Sequence, residues 1–284
     1  MAVSIAAAVN EASVLESVSD NWRLEGELLL GHVLGKRREW LISHNDENLS
    51  PADVEHYRQL LARRQQSEPI AYILGHREFW DFDLTVNEAV LVPRPETEVL
   101  VREALQLLQG REGQALQLAD LGTGSGAIAI ALARQSRQWQ VTAVDESEAA
   151  LAVARDNADK LGVSNISFEL SNWCAALPAG RFDMIASNPP YVVPGDQHLQ
   201  ADGLNYEPQG ALVAGDNGLA DLRSIIDQAR RCLKNDSWLL VEHGFDQEQA
   251  VAELLTAAGY VDVRNVRDYS GQPRVSMGRW PGQD

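Results

Sequence analysis

Three short constellations hold residue types that can do chemistry together. The first is Asp120-Leu121-Gly122-Thr123-Gly124-Ser125-Gly126, set between an apolar run and an alanine-rich segment. Glycines so placed let the backbone leave a strand sharply and approach a ligand closely. Gly122, Gly124 and Ala127 also satisfy the dinucleotide fingerprint G-x-G-x-x-G/A, so nicotinamide and flavin enzymes stay in view. The second is Asp145, 19 residues beyond Gly126 and at the end of the next apolar run. An acid there can accept hydrogen bonds from both hydroxyls of a ribose. S-adenosylmethionine and NAD share that ribose, so Asp145 implies an adenosine cofactor without choosing one; a helix cap for the segment near Ser147 is the competing role. The third is Asn188-Pro189-Pro190-Tyr191. Two prolines stiffen the chain and remove two N–H donors, leaving carbonyl acceptors. Asn188 adds an amide oxygen and Tyr191 a ring that can stack. Together they suit a planar –NH₂ group, its two N–H bonds received by the Asn188 oxygen and the Pro189 carbonyl.

The elements that must position these groups can be read from periodicity. From Leu116 onward strands and helices alternate: ALQLADL ends at Asp120, a helix covers Ser125 to Arg134, WQVTAVD ends at Asp145, and a helix covers Ser147 to Leu161. ISFEL and FDMIASN follow as strands, the latter ending at Asn188. A long polar loop runs from Pro189 to about Gly218, then a helix from Leu219 to Leu233, the strand SWLLVEH, a helix from Gln247 to Ala258 and two closing strands, VDVRNV and RVSMGRW. Repeating βα units predict a mostly parallel sheet with helices on both faces, its last member antiparallel because no helix separates the closing strands. All three constellations then fall at carboxyl ends of strands, where open α/β sheets bind ligands.

Upstream the pattern differs. The first 75 residues predict short helices, with Leu24, Leu28, Leu29 and Val33 at helical spacing. Ser50-Pro51-Ala52-Asp53 predicts a capped helix start, followed by the stripe Val54, Tyr57, Leu60 and Leu61. EPIAYILG reads as another short helix ended by Gly75. His76 to Val92 is aromatic and β-branched, a hairpin or extended linker, and Glu96 to Leu108 is helical again.

The constellation resembles class I S-adenosylmethionine-dependent methyltransferases bearing an NPPY motif, which act on adenine N6, cytosine N4 or glutamine amides. That resemblance covers Leu116 to Trp280. It implies a Rossmann-like, mostly parallel seven-stranded sheet. EPIAYILG (68–75), REFW (77–80), LVPRPETE (91–98), NPPY (188–191), NYEP (205–208) and ALVAGDNGL (211–219) occur in that order. Taken together they resemble the bacterial release-factor glutamine N5-methyltransferases over nearly the whole chain.

This resemblance implies an enzyme that methylates the glutamine of the Gly-Gly-Gln tripeptide in peptide-chain release factors, converting S-adenosyl-L-methionine to S-adenosyl-L-homocysteine. Gly122, Thr123, Gly124, Ser125, Gly126, Asp145, Trp173 and Asn188 would hold the cofactor, and Asn188, Pro189, Pro190 and Tyr191 the substrate glutamine. Asn172 stands where the family usually has an acid, with its oxygen left to accept from the adenine amino group. The chain would divide into a helical docking domain (1–75), a hairpin linker (76–95) and a methyltransferase domain (96–284).

Composition narrows the classes further. The chain has 284 residues, 45% hydrophobic and 23% charged, the balance of a globular protein, and a net charge of −17. That charge disfavours a phosphate backbone as partner, and with it a DNA adenine-N6 methyltransferase, which needs a basic target-recognition region. A ribosomal-protein glutamine methyltransferase remains an alternative that shares NPPY. A nicotinamide oxidoreductase leaves NPPY unexplained, and a non-catalytic module leaves a full set of reactive groups unused. Two cysteines, Cys174 and Cys232, form no metal or disulfide pattern. His32, His44, His56 and His198 show no metal spacing, and His243 reads as structural as readily as functional. His76, Glu96 and Glu98 are candidates for ordering loops above the cofactor. With no apolar run of about 20 residues and no basic leader, a cytoplasmic protein is expected.

Overall fold

The computed structural model describes residues 3–196 and 203–282. They form two compact units, one drawn from residues 3–76 with 203–206 and the other from 77–196 with 207–282. His198 lies outside the described residues, as does part of the long loop.

The first unit is helical: α1 (Ile5–Glu11), α2 (Trp22–Leu34), α3 (Arg38–Ser43), α4 (Pro51–Gln65) and α5 (Ile70–Leu74). The Ser4 hydroxyl accepts from Ala7 N at 3.2 Å and caps α1; Ser50 accepts from Asp53 N at 3.1 Å and caps α4, with Pro51 in the first turn as expected. Val54, Tyr57, Leu60 and Leu61 are all buried, as their stripe predicts. Helix α2 forms where the leucine spacing predicts a helix, and its buried face is set by Gly26. Leu24 and Leu28 are 40% and 38% exposed, while Gly26, Leu29 and Leu30 face the core. Gly26 sets that rotation, since a Cβ there would stand 2.3 Å from Ala12 Cβ. The only face that can close on Ala12 is the one without a side chain.

The hairpin of β1 (His76–Phe79) and β2 (Phe82–Thr85), in the second unit from Arg77 onward, is the short hairpin that the aromatic stretch predicts. Then come α6 (Thr97–Leu107), β3 (Gln117–Leu121), α7 (Ala127–Gln135), β4 (Gln140–Asp145), α8 (Glu148–Lys160), β5 (Ile166–Leu170) and β6 (Phe182–Ser187). The one-turn α9 (Gly215–Gly218), α10 (Ala220–Cys232), β7 (Leu233–Glu242), α11 (Glu248–Ala257), β8 (Val261–Arg267) and β9 (Pro273–Trp280) complete it. Seven strands form one sheet in the order β5-β4-β3-β6-β7-β9-β8. All neighbours from β5 to β7 are parallel, and β9 runs antiparallel to both β7 and β8, as the missing crossover helix predicts.

Alternate residues of each central strand enter opposite cores, as the pleat requires. Leu118, Met184 and Leu240 pack with Leu100, Ile128 and Leu132 from α6 and α7. Ala119, Ile185 and Leu239 pack with Leu222, Ile226 and Val251 from α10 and α11. The chain steps outward from β3 to β4 and β5, then returns to place β6 against the other edge of β3. That reversal splays the loops after β3 and β6 apart and opens a crevice at the carboxyl ends of the strands.

Three expectations need correction. Helix α7 begins at Ala127, not Ser125, because Gly124 and Gly126 take φ of +54° and +88° and hold the chain out of a helix until they are passed. Strand β7 begins at Leu233, four residues before the expected Ser237. The long polar loop is not featureless. It contains turns at Leu204–Tyr206 and Gln209–Ala211, the short turn α9, whose Asp216 and Asn217 take left-handed backbone, and a parallel bridge between Val192 and Val213.

Candidate active site

A cavity of about 360 Å³ opens at the crevice, within the usual range for a small-molecule site. Its lining includes Gly122, Thr123, Gly124 and Ser125 after β3, Asp145 at the end of β4, Asn172 and Trp173 after β5, and Asn188 and Pro190 after β6. Gly126, Pro189 and Tyr191 lie outside that lining. Gly126 instead packs helix α7 against α8, where a Cβ would meet Ala154 Cβ at 3.3 Å.

The glycine loop and the acid form one unit. Gly124 N donates to Asp145 Oδ2 at 2.9 Å, and Ser147 N donates to Oδ1 at 2.9 Å. Ser147, not Asp145, caps α8, accepting from Ala150 N at 3.2 Å. Burial raises the Asp145 carboxyl above its ordinary value, and the Gly124 and Ser147 N–H groups oppose that rise. A Cβ on Gly122 would lie 3.2 Å from Trp173 Cζ3, so this glycine passes closely beside the indole. At Gly124 a Cβ would meet nothing within 4 Å, because it would point into the opening. A backbone cradle, an acid for ribose hydroxyls and an indole edge suit an adenosine-bearing cofactor.

Beneath the loop, Asp120 is fully buried. Its Oδ2 accepts from Thr123 Oγ1 at 2.7 Å and Ala129 N at 3.1 Å, while Oδ1 has no partner among the described residues. Burial pushes this carboxyl up to about 7, and the two hydrogen bonds only partly offset it. Asn172 Nδ2 donates to Glu146 Oε2 at 3.3 Å. A carboxylate can only accept, so the Asn172 oxygen faces away from Glu146.

The Asn188-Pro189-Pro190-Tyr191 segment rests on Thr97, Glu242 and Gln247, none of them among the expected site residues. Asn188 Nδ2 donates to Thr97 Oγ1 at 2.9 Å, and Thr97 Oγ1 donates to Glu242 Oε2 at 2.7 Å. Tyr191 Oη donates to Glu242 Oε1 at 3.2 Å, and the Tyr191 carbonyl accepts from Gln247 Nε2 at 3.2 Å. Glu242 is fully buried, and burial pushes it up to about 7 against the pull of Thr97, Tyr191 and Arg274. Burial also raises Tyr191, with Glu242 adding to the effect. Thr97 lay within the quoted PRPETE segment, so the motif was visible although its role was not.

Two further residues were missed. Asn157 on α8 accepts from Thr85 N at 2.8 Å and donates to the carbonyls of Thr85 at 3.0 Å and Ser125 at 2.9 Å, tying hairpin, helix and glycine loop together. Glu207 accepts from Val92 N at 3.0 Å and from Arg94 Nη2 at 2.5 Å, joining the NYEP and PRPETE segments beside the cavity. Among the earlier candidates, Glu98 Oε1 accepts from Trp80 N at 3.0 Å and anchors the hairpin. His243 is fully buried between the Gly244 carbonyl and Ser276 Oγ, each 2.8 Å away, and is a packing residue held below its ordinary pKa by burial. Cys174 and Cys232 are free and buried. Among the described residues no group of His, Cys, Asp and Glu could hold a metal, and no helix is long and apolar enough to cross a membrane.

Comparison with known proteins adds to this geometry. Residues 8–75 match the family described as PrmC N-terminal domain, and residues 113–265 the family described as Methyltransferase domain. A methyltransferase from Pyrococcus furiosus superimposes with a TM-score of 0.53 over 80% of this chain and 98% of that one, at 19% identity, which bears on the fold alone. The release factor glutamine methyltransferase of Salmonella typhimurium is 45% identical over 92% of this chain and 94% of its own. That of Vibrio cholerae is 43% identical over 99% and 98%. Identity at this level over nearly the full length of both chains goes beyond a shared fold, and the chain belongs to the release factor glutamine methyltransferase family.

Proposed function

We propose that this protein transfers a methyl group from S-adenosyl-L-methionine to the side-chain amide nitrogen of the Gly-Gly-Gln glutamine of peptide-chain release factors. The observation that carries the reading is that Asn188, an amide acceptor, lines the same cavity as the Gly122–Ser125 loop and Asp145. On this reading an –NH₂ acceptor and the residues that would hold adenosine face one space. Gly122 to Gly126 and Asp145 would hold the methionine and ribose portions, with Trp173 and the Asn172 oxygen beside the adenine.

When bound, the cofactor supplies an electrophilic sulfonium methyl group whose departing thioether is neutral. The harder problem is the nucleophile, since an amide nitrogen's lone pair is delocalised into its carbonyl. The Asn188 oxygen and the Pro189 carbonyl would accept both N–H bonds as nitrogen becomes more tetrahedral, drawing off positive charge as it develops. Orientation supplies much of the rest, up to about 7–11 kcal/mol in favourable cases. No strong base is needed, because a protonated amide is itself a strong acid. Tyr191 would lay its ring against the substrate amide while Glu242 holds its hydroxyl. Residues 1–75 would dock the release factor, 76–95 would link, and 96–284 would catalyse, in the cytoplasm where release factors work.

The test is methyl transfer from labelled S-adenosylmethionine to a purified release factor, beside the same factor with its Gly-Gly-Gln glutamine replaced. Label on the unsubstituted factor alone is expected. Label on both would move the target residue, and label on neither with cofactor binding intact would redirect the search to ribosomal proteins and DNA.

A further inference from the structure

The hydrogen-bond chain from Asn188 to Glu242 has a direction. An ionised Glu242 can only accept. Its Oε2 takes the single proton of Thr97 and its Oε1 takes that of Tyr191. With its proton committed, Thr97 Oγ1 can only accept from Asn188, so the Asn188 amide must present nitrogen to it. No donor among the described residues reaches the Asn188 oxygen, which is the amide atom left for a ligand. We infer that Thr97 and Glu242 are positioning residues that lock the polarity of the Asn188 amide, so that the site accepts an N–H donor and rejects a carbonyl in its place. The inference rests on the methyltransferase reading for its catalytic consequence, but the polarity itself is a property of the free protein.

The lock can be reversed by one proton. A protonated Glu242 could donate to Thr97, Thr97 could then donate to Asn188, and the amide would turn its nitrogen outward against the N–H groups of the substrate. Arg274 on β9 favours the charged carboxylate, Glu96 before α6 disfavours it, and Tyr191 and Thr97 donate to it. Burial supports the same view by raising Glu242 into the neutral range.

The decisive variant is Thr97→Val, which keeps shape and removes the hydroxyl; Thr97→Ser restores the hydroxyl. In protein labelled with [¹⁵N]asparagine, one Asn188 side-chain N–H should exchange slowly in the wild type and in Thr97→Ser, and lose that protection in Thr97→Val. In the release-factor assay, Thr97→Val should lower kcat about 10- to 100-fold while cofactor Kd stays within about threefold, and Thr97→Ser should recover most of the rate. Wild-type kcat should fall as pH drops through the titration of Glu242, and Glu242→Gln should flatten that limb. An Asn188 signal equally protected in Thr97→Val would overturn the inference, as would a kcat lowered no more by Thr97→Val than by Thr97→Ser. If the wild type fails to methylate release factors yet the amide signal responds to Thr97, the polarity lock stands and the substrate assignment falls.

Discussion

Replacing Asp145 by asparagine tests the proposed link between the glycine loop and the cofactor. The two carboxylate oxygens each accept a backbone N–H, from Gly124 and from Ser147, both at 2.9 Å. Asparagine has one oxygen, so in either orientation its –NH₂ confronts one of those N–H groups, donor against donor. Facing Gly124 it pushes the loop away from the acid; facing Ser147 it frees the first turn of α8. The proposed ribose contact loses its charge as well. Hydrogen bonds to charged groups are worth about 1.5–3 kcal/mol, so a loss of about 2–3 kcal/mol is expected, a rise in cofactor Kd of roughly 30- to 150-fold. Isothermal titration with S-adenosylhomocysteine reads this directly. The rate at saturating cofactor should change by less than about threefold, because the chain from Asn188 through Thr97 to Glu242 includes no atom of Asp145. A Kd within about threefold of wild type would remove Asp145 from the ribose and leave it a loop staple. A collapse of kcat at unchanged Kd would place it in the chemistry instead.

Asn188→Ala should lower kcat far more than it weakens cofactor binding, measured by methyl transfer beside titration; an unchanged kcat would end its catalytic role. Asp120 is raised from about 4 when unfolded to about 7 when folded. Its contribution to stability is therefore complete below pH about 4 and lost as pH rises to about 7. Asp120→Asn keeps an oxygen for Thr123 and Ala129 but cannot ionise, so its Tm advantage over wild type should grow across that window and level off above it. A pH-independent difference would refute the shift. Gly126→Ala combines φ +88° with Ala154 Cβ at 3.3 Å, whereas Gly110→Ala combines φ +80° with open space. Chemical denaturation should show about 1–2 kcal/mol lost at Gly110 and about 2–4 kcal/mol at Gly126, and equal losses would mean the α7–α8 contact is looser than drawn. Asn157→Ala strands Thr85 N and the carbonyls of Thr85 and Ser125, and should cost about 2–4 kcal/mol of stability while raising cofactor Kd through the Ser125 loop.

What could be read from the sequence was what is local along it. The glycine loop, the strand-end acid and NPPY are each contiguous, and their residue types state their chemistry without knowledge of any neighbour. Helix starts were legible where a cap and its helix adjoin, as at Ser50; at α8 the cap fell to Ser147 rather than to the candidate Asp145, and the start was misplaced where glycines hold the chain in left-handed backbone, as before Ala127. In α2 leucine spacing gives a period but not a phase; Gly26, the residue without a side chain, decides the phase.

The supports of the site are non-local. Thr97 meets Glu242 across 145 residues, Asn157 meets Thr85 across 72, and Val92 meets Glu207 across 115. Nothing in the local pattern around Glu242 separates it from a strand-end acid pointing to solvent. Strand order supplies the missing relation: with β7 beside β6, the residue that ends β7 lies under the loop that leaves β6. Burying a carboxylate there is unfavourable unless its oxygens are matched, and Thr97 and Tyr191 match one each. Such a buried acid is weak evidence for stability, since an apolar residue of similar size often serves a core better. Its place in this fold is better explained by the direction it imposes. A neutral side chain at position 242 could leave the Thr97 proton uncommitted and Asn188 free to present either end of its amide, whereas a carboxylate leaves only one.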